Sequence, residues 1–525
     1  MRTRLLTAGV VASAMLLTAC TGTAPKAAAP LNTTFTYANN IAVMTSWDPA
    51  TSYSNEILAM SNMYEQLTHY DAATKTVKPL LAQSWTSSAD GLTWTFKLRP
   101  GVKFTDGKPA DAAAAKAAFD RTIKLNGGAA YEWGAVKSIA ATDATTLVFT
   151  LKYAAPLDLI ASSAYGAYVY DTTAAPGDLA KWFEAGNTAG TGPYVVDTYK
   201  KGQENELTLK ANADYWGGWA GDHYKTVLYR IVPQETTATQ LLQSGQVSFV
   251  PRLSSSVFQS LKATPNVKTV QQSSFENLLA MLNTESGPLA DAKLRQAVSK
   301  AIDYAGIVTA LKGAVVQAQG VVPEGLLGYT TDVSQTTDVA AAQSLLTAAG
   351  YGPGGKKLSL TLTYASGTPE LDTVVTLLKS NLAKVGITLE TKALAWETQW
   401  AIGKSTDPTK RQDIFLFYWY PDYADPFSWF TNLYHSATPP YFNMSYWKDA
   451  QVDATIDGIQ AVTATDRAKA QQQYVELQRT VSDQAVSPVL AVDNYQRAYA
   501  SSVGGYQDNP SYANVVFVHD LTPQA

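Results

Sequence analysis

Between residues 92 and 98 the chain alternates Leu92, Trp94, Phe96 and Leu98 with Thr93, Thr95 and Lys97, a period of two that predicts a strand with one buried face. Asp90-Gly91 before it and Pro100-Gly101 after it are turn signals. A second tight turn at Asp106-Gly107, with Pro109, leads into an Ala-rich helix over 112–122. Residues 136–152 predict a hairpin turning at Thr142-Asp143, and 206–212 and 226–232 predict further strands. From Leu294 the period changes: Leu294, Ala297, Val298, Ala301, Ile302, Ala305 and Val308 fall on one face of a single helix that starts after an Asp291 cap. Helices over 340–349 and 372–385 end at Gly350 and Gly386, where a left-handed cap is expected, and each leads to a strand, 358–364 and 387–393. The apolar run 413–419 has strand length and reads as a strand buried on both faces. Helix-then-strand alternation predicts α/β architecture.

At 525 residues the chain is too long for one core, so two lobes or more are expected, and 46% apolar residues are enough to fill them. Its beginning is of a different kind. Arg2 and Arg4 precede an apolar run, 5–17, that is too short to span a bilayer and ends in Leu17-Thr18-Ala19-Cys20, a lipobox. Residues 1–19 therefore read as a signal peptide. Cys20, the single cysteine, reads as the lipidated first residue of the mature chain, and the small, Pro-containing stretch 20–31 as its flexible tether. Losing Arg2 and Arg4 takes the formal charge from −4 to −6. There is no basic patch to suit nucleic acid, and no second long apolar run, so the lipid is the expected membrane attachment.

Catalytic patterns are scarce. His69, His223, His435 and His519 are widely spaced, with no H-E-x-x-H, no His/Cys metal spacing and no G-x-S-x-G elbow, so neither an enzyme nor a metal or cofactor is expected. Gly350-Tyr351-Gly352-Pro353-Gly354-Gly355 satisfies G-x-G-x-x-G but follows a helix and precedes a strand, the reverse of the dinucleotide-binding order.

The segment 79–121, with its fixed order of turns, strand and helix, resembles the signature of the family 5 solute-binding proteins, the peptide- and nickel-binding lipoproteins that feed ABC importers. Gly190-Thr191-Gly192-Pro193-Tyr194, the N-x-x-YWGG stretch 212–218 and the R-x-A-x-x-x-A-I-D stretch 295–303 resemble further motifs of that family, in order. The resemblance implies a two-lobed periplasmic-binding-protein-like fold (type II, large cluster, with an extra subdomain) and a ligand cleft between lobes. Lobe I would comprise 32–282 and 488–525 and lobe II 283–487, with the family domain at about 77–440. It also implies a monomer that closes on its ligand by hinge motion and works with a permease and an ATPase on separate chains.

The expected ligand site is 413–447. Residues 415–447 hold 14 of the chain's 56 aromatic residues where its 11% average gives roughly four, an enrichment suited to a binding wall. Trp419-Tyr420-Pro421-Asp422-Tyr423-Ala424-Asp425-Pro426 resembles the family's W-x-x-D-x-x-D-P motif. In peptide-binding relatives the first aspartate pairs with the ligand's α-amino group, which implies Asp422 as ligand anchor, with Trp419, Tyr420 and Tyr423 beside it. Asp425 is expected to cap the following turn. Dipeptide-specific relatives carry an arginine on the segment corresponding to 364–370, and Tyr364-Ala365-Ser366-Gly367-Thr368-Pro369-Glu370 has none, which points to longer peptides. A nickel chelate, an opine or an oligosaccharide is the alternative cargo; an envelope hydrolase or a non-transport interaction protein is the remote one.

Overall fold

The computed structural model describes residues 31–352 and 355–524; the expected signal peptide, Cys20 and all but the end of the tether lie outside the described residues. The chain forms the two-lobed α/β fold expected, organised by one long mixed sheet. In spatial order it runs Ile387–Leu394, Leu358–Ala365, Ile414–Trp419, Val267–Leu282, Val489–Ala500, Phe249–Val250, Thr34–Asn39, Thr226–Ile231, Asn205–Ala211 and Tyr194–Tyr199. Two long strands at its centre, Val267–Leu282 and Val489–Ala500, pair antiparallel, and their register shifts between Ser273 and Asn277. Ile414–Trp419 pairs with Val267–Leu282 on one side and with Leu358–Ala365 on the other, so it lies inside the sheet and both its faces are covered. That placement is why the run 413–419 is almost uniformly apolar.

A separate four-stranded sheet, Ala82–Ser87, Thr93–Leu98, Thr146–Leu151 and Val136–Asp143, carries the helix Ala112–Leu125. Asp111 caps that helix by accepting from Ala114 N at 3.0 Å, an interaction worth about 1 kcal/mol. The helix buries Ala115, Ala118, Phe119 and Thr122, runs to Leu125, three residues beyond the expected end, and closes on left-handed Asn126.

Two expectations at element level are corrected. The hairpin turns at Ala144-Thr145 rather than at Thr142-Asp143, because the Asp143 carboxylate accepts from Thr145 N at 2.8 Å and so takes the first corner of the turn. The helix from Asp291, whose carboxylate does cap Lys293 N, stops at Ala301 instead of continuing to Val308. Asp303 caps a new helix, Tyr304–Ala310, by accepting from Gly306 N at 2.8 Å. An Asp side chain competes with the helical backbone for donors, and here it wins although the apolar stripe continues past it.

The GTGPY stretch is scaffold. A Cβ on Gly190 would lie 2.1 Å from the carbonyl oxygen of Met63, and one on Gly192 2.7 Å from the same atom. Two backbones meet at this point, so the glycines permit a close approach that a side chain would block.

Candidate ligand-binding site

Pro421 ends the pairing of Ile414–Trp419 and sends the chain out of the sheet toward the N-terminal half of the molecule. Asp425 then accepts from Phe427 N at 2.9 Å and from Tyr474 Oη at 3.0 Å, starting the helical turn that follows, as expected. Between these two fixed points Asp422 is buried.

The partners of Asp422 come from far along the chain. Tyr53 Oη donates to its Oδ1 at 3.1 Å, and Tyr131 Oη donates to its Oδ2. Asn432 Nδ2 donates to Tyr131 Oη at 2.8 Å and orients that hydroxyl. Gly128 brings the two tyrosines together: its φ is +53°, and a Cβ there would lie 2.8 Å from the carbonyl oxygen of Thr51. The loop carrying Tyr53 can therefore pack directly against the turn Ala130–Ala135, which carries Tyr131.

The residue after Tyr131 is a second buried carboxylate. Glu132 is fully buried; Ser163 Oγ lies 3.1 Å from its Oε1 and 3.0 Å from the backbone oxygen of Asp422, while Glu132 Oε2 has no hydrogen-bond partner. Burial pushes the Asp422 pKa up to about 7 against the lowering effect of Tyr131 and Tyr53. Burial and then the Asp422 charge hold Glu132 well above the ordinary carboxylate range. Among the described residues no cationic side chain pairs with either group.

The aromatic residues expected beside Asp422 take different positions. Tyr420 is half-buried, with its hydroxyl 3.2 Å from that of Tyr165. Trp419 is nearly buried and meets Phe442 with ring centroids 5.0 Å apart; Phe442 also touches Tyr53 at 5.8 Å. Tyr423 is fully buried, and its hydroxyl accepts from Gln460 Nε2 at 3.3 Å within the core.

An arginine does reach this region, although not from 364–370. Arg252 Nη2 donates to Glu276 Oε2 at 2.7 Å and Nη1 to Asp493 Oδ2 at 3.0 Å, with Tyr418 5.5 Å from its guanidinium. Glu276 lies within the register shift between Ser273 and Asn277 of Val267–Leu282, where the ladder is interrupted. The charges of both Glu276 and Asp422 bear on the Tyr420 hydroxyl.

Tyr53, Tyr131, Glu132, Ser163 and Arg252 are invisible to periodicity, because they sit on loops and a short turn and converge only in three dimensions. The one local hint is Glu132 itself, a charged residue between two aromatics. Two shallow surface depressions, about 560 Å³ beside Gln343 and Thr347 and about 410 Å³ beside Gln203 and Pro233, touch none of these residues. Among the described residues no group of His, Cys, Asp and Glu is arranged to hold a metal ion, and no helix is long and apolar enough to cross a membrane.

Comparison with known proteins agrees with this architecture. The chain is 29% identical over 491 residues to the probable D,D-dipeptide-binding periplasmic protein DdpA of Escherichia coli K12, covering 90% of this chain and 92% of that one. It superposes on the periplasmic binding protein DppA of Helicobacter pylori in complex with the peptide STSA with a TM-score of 0.80 at 22% identity, covering 94% and 98% of the two chains. NikA of Brucella suis in complex with Fe(III)-EDTA gives the same TM-score at 21% identity, covering 94% and 100%. Residues 76–440 match the model of the bacterial extracellular solute-binding proteins, family 5, and the chain belongs to that family of ABC-importer binding proteins.

Proposed function

We propose that this protein captures peptides between its lobes and delivers them to a permease, with Asp422 anchoring the ligand's α-ammonium and Trp419, Tyr420 and Tyr423 shaping or supporting that pocket. The observation that carries the reading is a buried aspartate with two tyrosine donors and, among the described residues, no cationic partner. Dividing the chain at 282/283 and 487/488 assigns Tyr53, Tyr131 and Ser163 to one lobe and Asp422 to the other, so the anchor lies where closure brings the lobes together. An ammonium entering there supplies the missing charge, and the charge-assisted hydrogen bond fixes its orientation. The main chain of an extended peptide can be held independently of its side chains, which suits a receptor of varied cargo. The name of the E. coli relative agrees with peptide cargo; the Fe(III)-EDTA complex of the NikA neighbour marks metal chelates as the second reading.

The test is calorimetric titration of free and N-acetylated tripeptides as a function of pH. Burial raises the Asp422 pKa, so its contribution to stability is fully present below the ordinary aspartate value and is lost as pH rises through about 7. Ligand binding has the opposite sign, because the ammonium requires the ionised carboxylate. Affinity should fall by up to about tenfold for each pH unit below 7, and fall again above about 8 as the peptide's own amine loses its proton. A flat profile for the free peptide, or equal affinity for the acetylated one, would exclude Asp422 as an amine anchor.

Membrane attachment through Cys20 belongs to the same reading and rests on Leu17-Thr18-Ala19-Cys20 following the basic and apolar regions. Cys20→Ala should release the protein from the membrane fraction or block its processing. An unmodified mature N-terminus in the wild type would rule the anchor out.

A further inference from the structure

Glu132 poses a question that a single ammonium does not answer. It is fully buried, one carboxyl oxygen has no partner, and the other shares the Ser163 hydroxyl with the backbone of Asp422. Its charge bears on Tyr53 and Tyr131, the two hydroxyls that donate to Asp422. A buried carboxyl lacking a partner is costly, and a glutamine or an apolar residue of similar size would avoid the charge. Two carboxyls from distant parts of the chain are linked through Ser163, and among the described residues neither has a cationic side chain beside it. One ammonium at Asp422 leaves the free oxygen of Glu132 still without a partner.

Resting on the reading of Asp422 as the amine anchor, we propose that Glu132 is a second anchor, and that the receptor selects peptides whose first residue is itself cationic. The α-ammonium meets Asp422, and the side-chain ammonium or guanidinium of an N-terminal lysine or arginine meets the free oxygen of Glu132. In the absence of such a ligand Glu132 holds a proton, and the entering side-chain cation displaces it. Both lysine and arginine have the length and flexibility to place a charge one pocket away from their own α-amino group, and each gains from leaving no carboxylate unpaired in a dry site. Ser163 links the two anchors and positions them together.

Affinities of Lys-Ala-Ala and norleucine-Ala-Ala, which differ in the side-chain charge and little else in shape, decide the matter. Wild-type protein should bind the lysine peptide at least about tenfold more tightly, a typical minimum for a close, desolvated charge pair. Glu132→Gln, which keeps the shape, should bring the two affinities within about threefold by weakening the lysine peptide alone. Equal wild-type affinities overturn the proposal, and so does a preference that survives Glu132→Gln; the wild-type comparison stands even if the variant fails to fold. N-acetylated forms of both peptides separate the two layers. If acetylation weakens binding but side-chain charge does not matter, Glu132 is not an anchor and Asp422 still is. If acetylation does not matter, or neither peptide binds, the amine-anchor reading fails and takes this one with it.

Discussion

Asp422→Asn should weaken peptide binding by roughly 30- to 4000-fold at pH 7.5, because losing one partner of a buried, hydrogen-bonded charge pair costs about 2–5 kcal/mol. The asparagine keeps an acceptor for Tyr53 or Tyr131, so the pocket retains its shape and loses its charge. N-acetylating the peptide should do comparable damage to wild-type binding. The variant with the acetylated peptide should cost much less than the two losses added, because both changes remove one interaction. For a peptide whose first side chain is uncharged, the low-pH loss of affinity should also disappear in the variant, since the carboxyl that meets the amine no longer titrates. Asp425→Asn is the control: that carboxylate serves Phe427 N and Tyr474 Oη, so the change should lower stability and leave affinity nearly intact. Calorimetry that finds peptide affinity indifferent to both Asp422→Asn and acetylation would make Asp422 a structural residue.

Arg497→Met should lower unfolding stability by about 3–5 kcal/mol, the usual cost of removing one partner of a buried ion pair. Arg497 is completely buried in Val489–Ala500, and its partner Asp508 is almost as enclosed. The guanidinium donates to Asp508 through Nε and through Nη2 at 3.1 Å. Its Nη1 donates to the backbone oxygen of Pro251 at 2.8 Å and to Asn514 Oδ1 at 2.7 Å, and Tyr495 lies 4.1 Å from its centre. One side chain thus ties the C-terminal residues around 508–514 to the central sheet, and its loss strands a carboxylate and an amide oxygen in the interior. Arg497→Met with Asp508→Leu should recover much of the loss, since no unpaired charge then remains. Guanidinium-induced unfolding of the two variants checks this. Equal destabilisation in both would mean that packing, and not charge pairing, is what Arg497 supplies.

The sequence alone determines which segments form elements and where many of them stop, because those choices are local. The alternation at 92–98, the caps Asp111 and Asp291, and the left-handed glycines after the helices near 350 and 386 are each set within a few residues. It also determines Asp425 as a cap, since the partner Phe427 N is two residues away. The motif order is legible for the same reason, as each motif is a short piece of scaffold chemistry; Gly190 is forced by a backbone contact that tolerates no Cβ.

Only the tertiary structure decides the rest. The apolar stripe through Ile302 suits one helix, and Asp303 splits it because a side-chain cap outcompetes a weak continuation. Tyr423 reads as part of a binding wall yet lies in the core bonded to Gln460, since aromatic enrichment does not tell a wall from the packing behind it. The surroundings of Asp422 are the clearest case. Tyr53 and Tyr131 lie 369 and 291 residues before it in the chain, and Glu132 adjoins it through Ser163. Nothing periodic connects these positions, and their convergence, with the shared burial that raises both carboxyl pKa values, exists only once the two halves of the chain have folded against each other.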